Sequence, residues 1–307
     1  MRALVTGGAG FIGSHIVEEL LKEKADVVVL DDLSTGKKDN IQSPQAELFK
    51  GSVLDRDMLM KSMEGVDIVF HEAAKISIPF SVSHPATTWD VNIKGTKLML
   101  NAAVNAGVKR VIFASSAEVY GNALPPLSEK NDVKPISPFG DSKRMGELLM
   151  EQYHDKEGLE AVSLRYFDVY GPRQNISAES GVVARFISLM SQGKAPEVYG
   201  TGMQTRDFVY VKDVARANML ALKMKKAKAD VFNVASGNAI SVSELVKTLN
   251  SVLGTALEPI FETERQSDVK YSFADISLAK KKLGFEANVA LEQGLKETVR
   301  WFKEKGG

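Results

Sequence analysis

Residues 3–13 read Ala-Leu-Val-Thr-Gly-Gly-Ala-Gly-Phe-Ile-Gly. Gly8, Gly10 and Gly13 fit G-x-G-x-x-G, and Gly7, Gly10 and Gly13 fit the wider G-x-x-G-x-x-G spacing. The pattern follows an apolar run and opens an amphipathic stretch, the context that makes it informative. Glycine suits the chemistry because the turn is tight and its backbone must approach a pyrophosphate. The helix beyond it offers free N–H groups and the positive end of its dipole. Asp31 ends the second apolar run, 18 residues after Gly13. A carboxylate there accepts hydrogen bonds from both ribose hydroxyls of an adenosine and repels a 2′-phosphate. No arginine follows it directly, so the turn and its acid read as a site for NAD rather than NADP.

A second cluster spans residues 139–143, Phe-Gly-Asp-Ser-Lys. The i,i+4 spacing puts Phe139 and Lys143 on one helix face. Many NAD-dependent enzymes of this architecture carry tyrosine four residues before the lysine. The ammonium favours the phenolate, and the phenolate takes a hydroxyl proton as hydride leaves. Phenylalanine has no ionisable oxygen and cannot do this. Ser116, within Ser115-Ser116-Ala117-Glu118-Val119-Tyr120-Gly121, ends another apolar run, where its hydroxyl can bond the reacting oxygen.

Those residues need a scaffold, and the hydrophobic pattern predicts one. Short apolar runs at 3–5, 27–30, 66–70, 108–114 and 161–167 alternate with helical patterns over 11–22, 55–63, 87–106 and 141–154. Strands without polar alternation are buried on both faces, and their alternation with helices predicts an α/β fold, a Rossmann-type doubly wound parallel sheet. After Asp168 the pattern loosens. Helices are expected over 182–192, 211–224, 241–252 and 291–303, with short strands at 207–210, 231–234 and 258–262. The expected division is a dinucleotide-binding domain over 1–167, with 207–235 returning to it. A smaller, interleaved α/β substrate-binding region takes 168–206 and 236–307. The lysines at 223, 225, 226 and 228 read as a solvated helix end.

Composition narrows the function. Across 307 residues Lys plus Arg and Asp plus Glu are both 39. The basic excess of a nucleic-acid binder is missing. With no cysteine, disulfides, thiolate metal sites and a cysteine nucleophile are excluded. The four histidines (15, 71, 84 and 154) lack metal-ligand spacing, and no metal is expected. No signal peptide or membrane span is legible, so the expected location is cytoplasmic.

Several separated motifs together carry a resemblance. They are Thr6 to Gly13, His71-Glu72-Ala73-Ala74, Asn92-Ile93-Lys94-Gly95-Thr96, Ser115 to Gly121, Ser137 to Lys143, Leu164 to Gln174, Arg206 to Val211 and Arg265 to Asp268. The chain resembles the extended short-chain dehydrogenase/reductases, and among them the UDP-glucose (UDP-galactose) 4-epimerase family. The resemblance implies a 4-keto intermediate: hydride leaves the sugar C4, the sugar swings about its phosphate bond, and hydride returns to the other face. It assigns catalysis to Ser116, position 139 and Lys143. To the NAD cofactor it assigns Gly7, Gly10, Phe11, Ile12 and Gly13 of the turn, and Asp31, Asp32, Ser34, Thr35 and Gly36 after the second strand. Further cofactor positions are Ser52, Val53, Ala73, Ala74, Lys75, Asn92, Ser115, Lys143, Tyr166 and Val169.

For the UDP-sugar substrate the resemblance implies Arg206 and Arg265 on the pyrophosphate and Asp268 on the uridine ribose. Tyr199 stacks on uracil, and Ser77, Ser116, Glu118 and position 139 lie near the sugar. Arginine forks suit phosphate oxygens. Val182 and Val183 match the helix start beside the base, with a core role as the weaker alternative. Glu118 reads equally as a hydrogen-bonded wall residue. Ser272 matches the gatekeeper beside the sugar C2 substituent, and its small size leaves room for N-acetyl sugars. A homodimer is implied through helices 87–106 and 140–157, with Trp89, Leu98 and Leu149 either on that face or in the core.

Two positions depart from the family pattern. Phe139 stands where the family has tyrosine, which leaves an introduced Tyr-to-Phe substitution or a naturally non-catalytic binding protein. The intact neighbours, Lys143 and Ser116, favour the first. Asp168 stands where the family usually has asparagine donating to a UDP phosphate, and an ionised carboxylate cannot donate. Among rival enzymes, a 4,6-dehydratase would need an acid where Ala117 stands. A UDP-glucuronate epimerase or decarboxylase would need a cation for the sugar carboxylate, and none is assignable.

Overall fold

The computed structural model describes residues 1–41, 43–176, 181–263 and 269–305. In chain order the strands are β1 Arg2–Thr6, β2 Asp26–Asp31, β3 Ala46–Lys50, β4 Ile68–His71, β5 Arg110–Ser116, β6 Glu160–Tyr166, β7 Asp168–Tyr170, β8 Glu197–Tyr199, β9 Thr205–Tyr210, β10 Asp230–Val234, β11 Ala239–Ser241 and β12 Ile260–Glu262. The helices are α1 Phe11–Lys22, α2 Arg56–Ser62, α3 Ile78–Ser83, α4 Pro85–Trp89, α5 Thr96–Ala106, α6 Pro138–Glu157, α7 Val182–Ser191, α8 Val211–Lys223, α9 Val242–Leu253 and α10 Leu291–Lys305.

Seven parallel strands form the main sheet in the order β3-β2-β1-β4-β5-β6-β10. This is the doubly wound sheet that the apolar runs predict. Side chains alternate across it. Ala3, Val5, Val27, Val29, Phe70 and Ile112 pack on one side with Ile16 and Leu20 of α1 and Val214 of α8. Leu4, Val28, Val69 and Val111 pack on the other with Leu59 of α2, Leu100 of α5 and Met150 of α6. Both faces are covered, so the strands read as unbroken apolar runs.

The order reverses at β1, whose neighbours are β2 and β4. In such sheets ligands bind outside the carboxyl ends of the strands at this switch point. β3 has no counterpart among the sequence-predicted strands. It lies at the sheet edge, where Glu47 is exposed, so it lacks the double burial that makes the others legible.

The segment 207–235 divides. β10 joins the main sheet beside β6 and α8 packs against α1, whereas β9 pairs with β7 and β11 in a separate three-stranded sheet. A further core cluster links that small sheet to α7, α9 and α10 through Tyr170, Phe186, Phe208, Leu245 and Leu295. The expected helix over 87–106 is interrupted. A single π turn at 90–95 separates α4 from α5, and such turns often mark functional sites.

Candidate active site

β1 ends at Thr6, and the chain turns through Gly7 with φ at +69°, a left-handed conformation that favours glycine. The Gly7 N–H donates to Leu30 O at 2.8 Å, and the Gly10 N–H donates to Gly7 O at 3.0 Å. A Cβ on Gly13 would lie 2.3 Å from Gly7 O and 2.9 Å from Gly8 Cα. α1 starts with Gly10 at its N-cap, no side-chain cap and no acidic residue in its first turn. The helix end therefore presents backbone donors and positive potential to whatever enters. That cradle fits a dinucleotide pyrophosphate. Gly13→Ala would press a Cβ against the Gly7–Gly8 backbone and distort the cradle, and an overpacking cost of about 1–3 kcal/mol borne by the bound state corresponds to about a 5- to 150-fold loss of NAD affinity. Calorimetric titration of the stripped protein checks this; unchanged affinity would overturn the assignment of the turn.

A cleft of about 510 Å³ opens here, at the carboxyl ends of the central strands. Among the predicted cofactor residues, Gly7, Gly10, Phe11, Ile12, Gly13, Asp31, Asp32, Ser34, Thr35, Ser52, Val53, Ala73, Ala74 and Lys75 line it, as does Ser77. Asp31 also builds the turn. Its Oδ2 accepts from the Ala9 N–H at 2.9 Å and its Oδ1 from the Leu33 N–H at 2.8 Å. Desolvation raises its carboxyl above the ordinary value, with those two N–H groups opposing. Gly36 does not line the cleft, but a Cβ there would lie 2.9 Å from both Asp31 oxygens. Lys75 Nζ reaches Ser34 Oγ at 3.2 Å, and Asn175 Nδ2 reaches Thr35 O at 2.8 Å, so hydrogen bonds span the cleft mouth.

Asn92 sits on the π turn and acts as a brace. Its Oδ1 accepts from the Lys75 N–H at 2.7 Å, and its Nδ2 donates to Lys75 O and Ser142 Oγ, both at 2.9 Å. It thereby ties the cleft wall to α6. Ser137 caps α6 by accepting from the Gly140 N–H at 3.1 Å, and Pro138 follows at the first helical turn. One turn later Lys143 is 4% exposed. Its Nζ donates to Ala114 O at 2.7 Å and lies 5.2 Å from the Phe113 ring centroid and 5.8 Å from that of Phe139. Lys143 and Phe139 thus share a buried pocket, as the i,i+4 spacing predicts.

Ser116, at the end of β5, accepts from the Glu118 N–H at 3.2 Å. Ser115 is committed elsewhere, donating to Glu147 Oε1 at 2.7 Å. Tyr166 lies behind the cleft wall and donates to Glu72 Oε1 at 2.9 Å, while Asn218 Nδ2 donates to the Tyr166 oxygen at 2.8 Å. Val169 is half-buried between the apolar clusters.

Glu72, within His71-Glu72-Ala73-Ala74, also lines the cleft, although an acid at a strand end carries no role legible from its neighbours. Desolvation pushes its carboxyl up and pushes the Lys143 ammonium down, while each group opposes the shift in the other. Next to it, burial lowers His71 to about 3. Thr96 donates to Asn92 O at 2.6 Å and so accepts from His71 Nε2 at 2.9 Å, leaving Nδ1 to accept from Thr6 at 2.7 Å. His71 is therefore a neutral structural imidazole. Ile76, Phe80, Val91, Gln174, Asn175 and Gly181 also line the cleft; isolated residues of these types carry no chemical signature in the sequence.

On the substrate side the parallel register sets Asp168 opposite Phe208, which puts Arg206 on the same face. Arg206 Nε lies 3.8 Å from Asp168 Oδ1. Val183 is buried in the apolar core and Val182 is half-buried against it. Tyr199 is half-buried with the Arg185 guanidinium 5.1 Å from its ring centroid. Ser272 is buried, its N–H donating to Thr205 O at 3.1 Å. Arg265 and Asp268 lie outside the described residues.

Leu149 and Leu98 belong to the intramolecular core. Trp89 is 45% exposed, and Met145 and Leu148 of α6 are exposed as well. Among the described residues no helix is long and apolar enough to cross a membrane.

The NAD dependent epimerase/dehydratase family model matches residues 3–235. The chain is similar to UDP-glucose 4-epimerase of Thermotoga maritima, solved with UDP-glucose, at 40% identity and TM-score 0.96 over 100% of both chains. It is similar to UDP-N-acetylglucosamine 4-epimerase of Methanobrevibacter ruminantium, solved with UDP-N-acetylmuramic acid, at 38% identity and TM-score 0.95, covering 99% of this chain and 98% of that one. A UDP-glucose 4-epimerase of Mycolicibacterium smegmatis is 37% identical over 99% of both chains. The glycine cradle, the acid that ends β2, the lysine buried in α6 and these likenesses converge: the chain belongs to the NAD-dependent epimerase/dehydratase family, and its cofactor is NAD.

Proposed function

We propose that this chain is the scaffold of a UDP-sugar 4-epimerase for UDP-glucose and UDP-galactose, with room for their N-acetyl analogues, and that Phe139 impairs it. The carrying observation is the buried ammonium of Lys143 held by Ala114 O beside the Phe139 ring. The pocket for an acid–base pair is complete except for one phenol oxygen. When bound, NAD supplies hydride acceptance and return at the sugar C4. The chain's own residues handle the proton and the charge. A phenolate at 139 takes the C4 hydroxyl proton and becomes the phenol, Lys143 stabilises the phenolate beforehand, and Ser116 orients the reacting oxygen. Arg206 and Arg265 hold the pyrophosphate and Asp268 the uridine ribose. Ser77, Glu118 and the small Ser272 border the sugar, and Tyr199 and Val182 flank the base.

In this reading residues 1–167 with 211–235 carry the cofactor, and the remainder forms the substrate cap. The exposed apolar side chains on α4 and α6, Trp89, Met145 and Leu148, form a pairing face for a homodimer, which light scattering would test. The expected setting is cytoplasmic galactose metabolism.

The decisive assay incubates the Phe139→Tyr protein separately with UDP-glucose, UDP-N-acetylglucosamine and UDP-glucuronate and follows the C4 epimer by proton NMR. UDP-galactose from UDP-glucose is expected. Product from UDP-glucuronate alone would shift the substrate to the uronic acid, and no product from any sugar would overturn the epimerase reading. Phe139 itself favours one second reading, a nucleotide-sugar-binding protein without turnover, in which the same protein binds the sugar yet never epimerises it.

A further inference from the structure

Asp168 and Arg206 stand on adjacent strands of the small sheet, β7 and β9. Their side chains are 34% and 17% exposed. The 3.8 Å between Arg206 Nε and Asp168 Oδ1 is an ion-pair distance, longer than a hydrogen bond. The guanidinium also donates through Nη1 to Thr205 O at 2.9 Å. Arg206 therefore keeps much of its hydrogen-bonding capacity uncommitted to the carboxylate, and the contact is loose enough for an incoming anion to replace.

We propose that Asp168 is an affinity-setting residue of the substrate site: its carboxylate is an internal counter-anion that occupies Arg206 and competes with the pyrophosphate of the nucleotide sugar for it. This rests on the reading of Arg206 as a pyrophosphate ligand. A dianion brought to Arg206 meets Asp168 as a like charge, and such juxtaposition costs binding energy unless the carboxyl takes up a proton.

The surroundings make that proton uptake accessible. Desolvation raises the Asp168 carboxyl to about 6, Asp207 adds to the rise and Arg206 opposes it. Asp207, the neighbouring acid on β9, is held by four donors. They are the Ser236 N–H and hydroxyl, the Gly237 N–H and the Ala274 N–H, at 2.6–3.2 Å. Asp213, on the helix packed against β7, is tied to Arg216 and to the Asn288 and Val289 N–H groups. Of these three acids Asp168 is the one not saturated by donors, with only its own backbone N–H opposing the rise besides Arg206. Below about pH 6 it is neutral and releases Arg206 to the ligand. Above that range it is ionised, pairs with Arg206 and repels the incoming phosphates, so affinity falls as pH rises.

The test measures UDP-glucose binding to the NAD-loaded protein by calorimetry between pH 5 and pH 8. The charge of that diphosphate diester does not change over this range. The unmodified chain is expected to lose about tenfold in affinity across the series, the equivalent of one unit of further displacement of the Asp168 pKa by the ligand. Asp168→Asn keeps the shape, and the variant is expected to bind about tenfold tighter than the unmodified chain at pH 8, with a flat profile. Equal affinities and parallel profiles in the two proteins would overturn the competition while leaving the substrate reading intact. Absence of UDP-glucose binding by either protein at every pH would overturn both. The pH series on the unmodified chain needs no substitution and decides independently of how the variant folds.

Discussion

Phe139→Tyr is expected to raise UDP-glucose to UDP-galactose interconversion by about 10²–10⁴-fold, the usual contribution of a general acid–base group. The reason lies in what surrounds the ring. Phe139 is 7% exposed, its backbone N–H is bonded to Ser81 Oγ at 3.2 Å, and Lys143 faces the ring from one turn along α6. A hydroxyl added to this ring enters a site whose cation is already in place and desolvated. The substitution adds a single oxygen and leaves the cleft walls alone, so the gain should appear in kcat with little change in KM. Steady-state rates of the two proteins under saturating UDP-glucose check this. Matching rates would show that the proton is handled by another group.

The second large effect concerns the buried ion pair beneath the site. Glu147 and Arg165 are 2% and 3% exposed. Arg165 donates to both carboxylate oxygens, Nε at 2.7 Å and Nη2 at 2.8 Å, while Ser115 and Arg144 donate at 2.7 and 3.1 Å. The guanidinium also stacks 4.7 Å from the Tyr120 ring centroid. One carboxylate thus joins α6 to β5 and β6, one turn beyond Lys143. Glu147→Ala strands a buried guanidinium and should cost about 3–5 kcal/mol of stability, by analogy with other broken buried pairs.

The pair also has a pH signature. Desolvation is the largest influence on Glu147 and opposes its ionisation, yet the charge and hydrogen bonds of Arg165, with Ser115 and Arg144, outweigh it and hold the carboxyl below its ordinary 4.5. A depressed folded-state pKa means stability that is complete above the unfolded value and is lost as pH falls through 4.5 and below. Glu147→Gln should remove that component of the acid dependence. Urea unfolding at a series of pH values measures both effects, and an unchanged midpoint in Glu147→Ala would refute the anchor.

Much of the scaffold was legible in the sequence. The glycine turn, Asp31 and the Phe139–Lys143 spacing each state a local requirement: a tight turn, a strand end, one helix face. Local requirements are written in neighbouring residues. The edge strand β3 and the separate sheet that takes β9 were not legible. An edge strand need not be apolar on both faces, and strand pairing depends on which distant segment lies alongside. Glu72 was not legible as a site residue, because its effect on Lys143 arises only once β4, β6 and α6 converge.

Readable along the chain were the alternation of buried strands and amphipathic helices, the nucleotide turn, the acid suited to NAD, and a ring without an ionisable oxygen four residues before Lys143. Each follows from residue type and short-range spacing. Folding in three dimensions was needed to hand Ser115 to Glu147, to put Leu149 in the core and to set Asp168 against Arg206. Those outcomes depend on strand register and helix docking between residues far apart in the chain, where burial and charge compensation set the partner and spacing along the sequence does not.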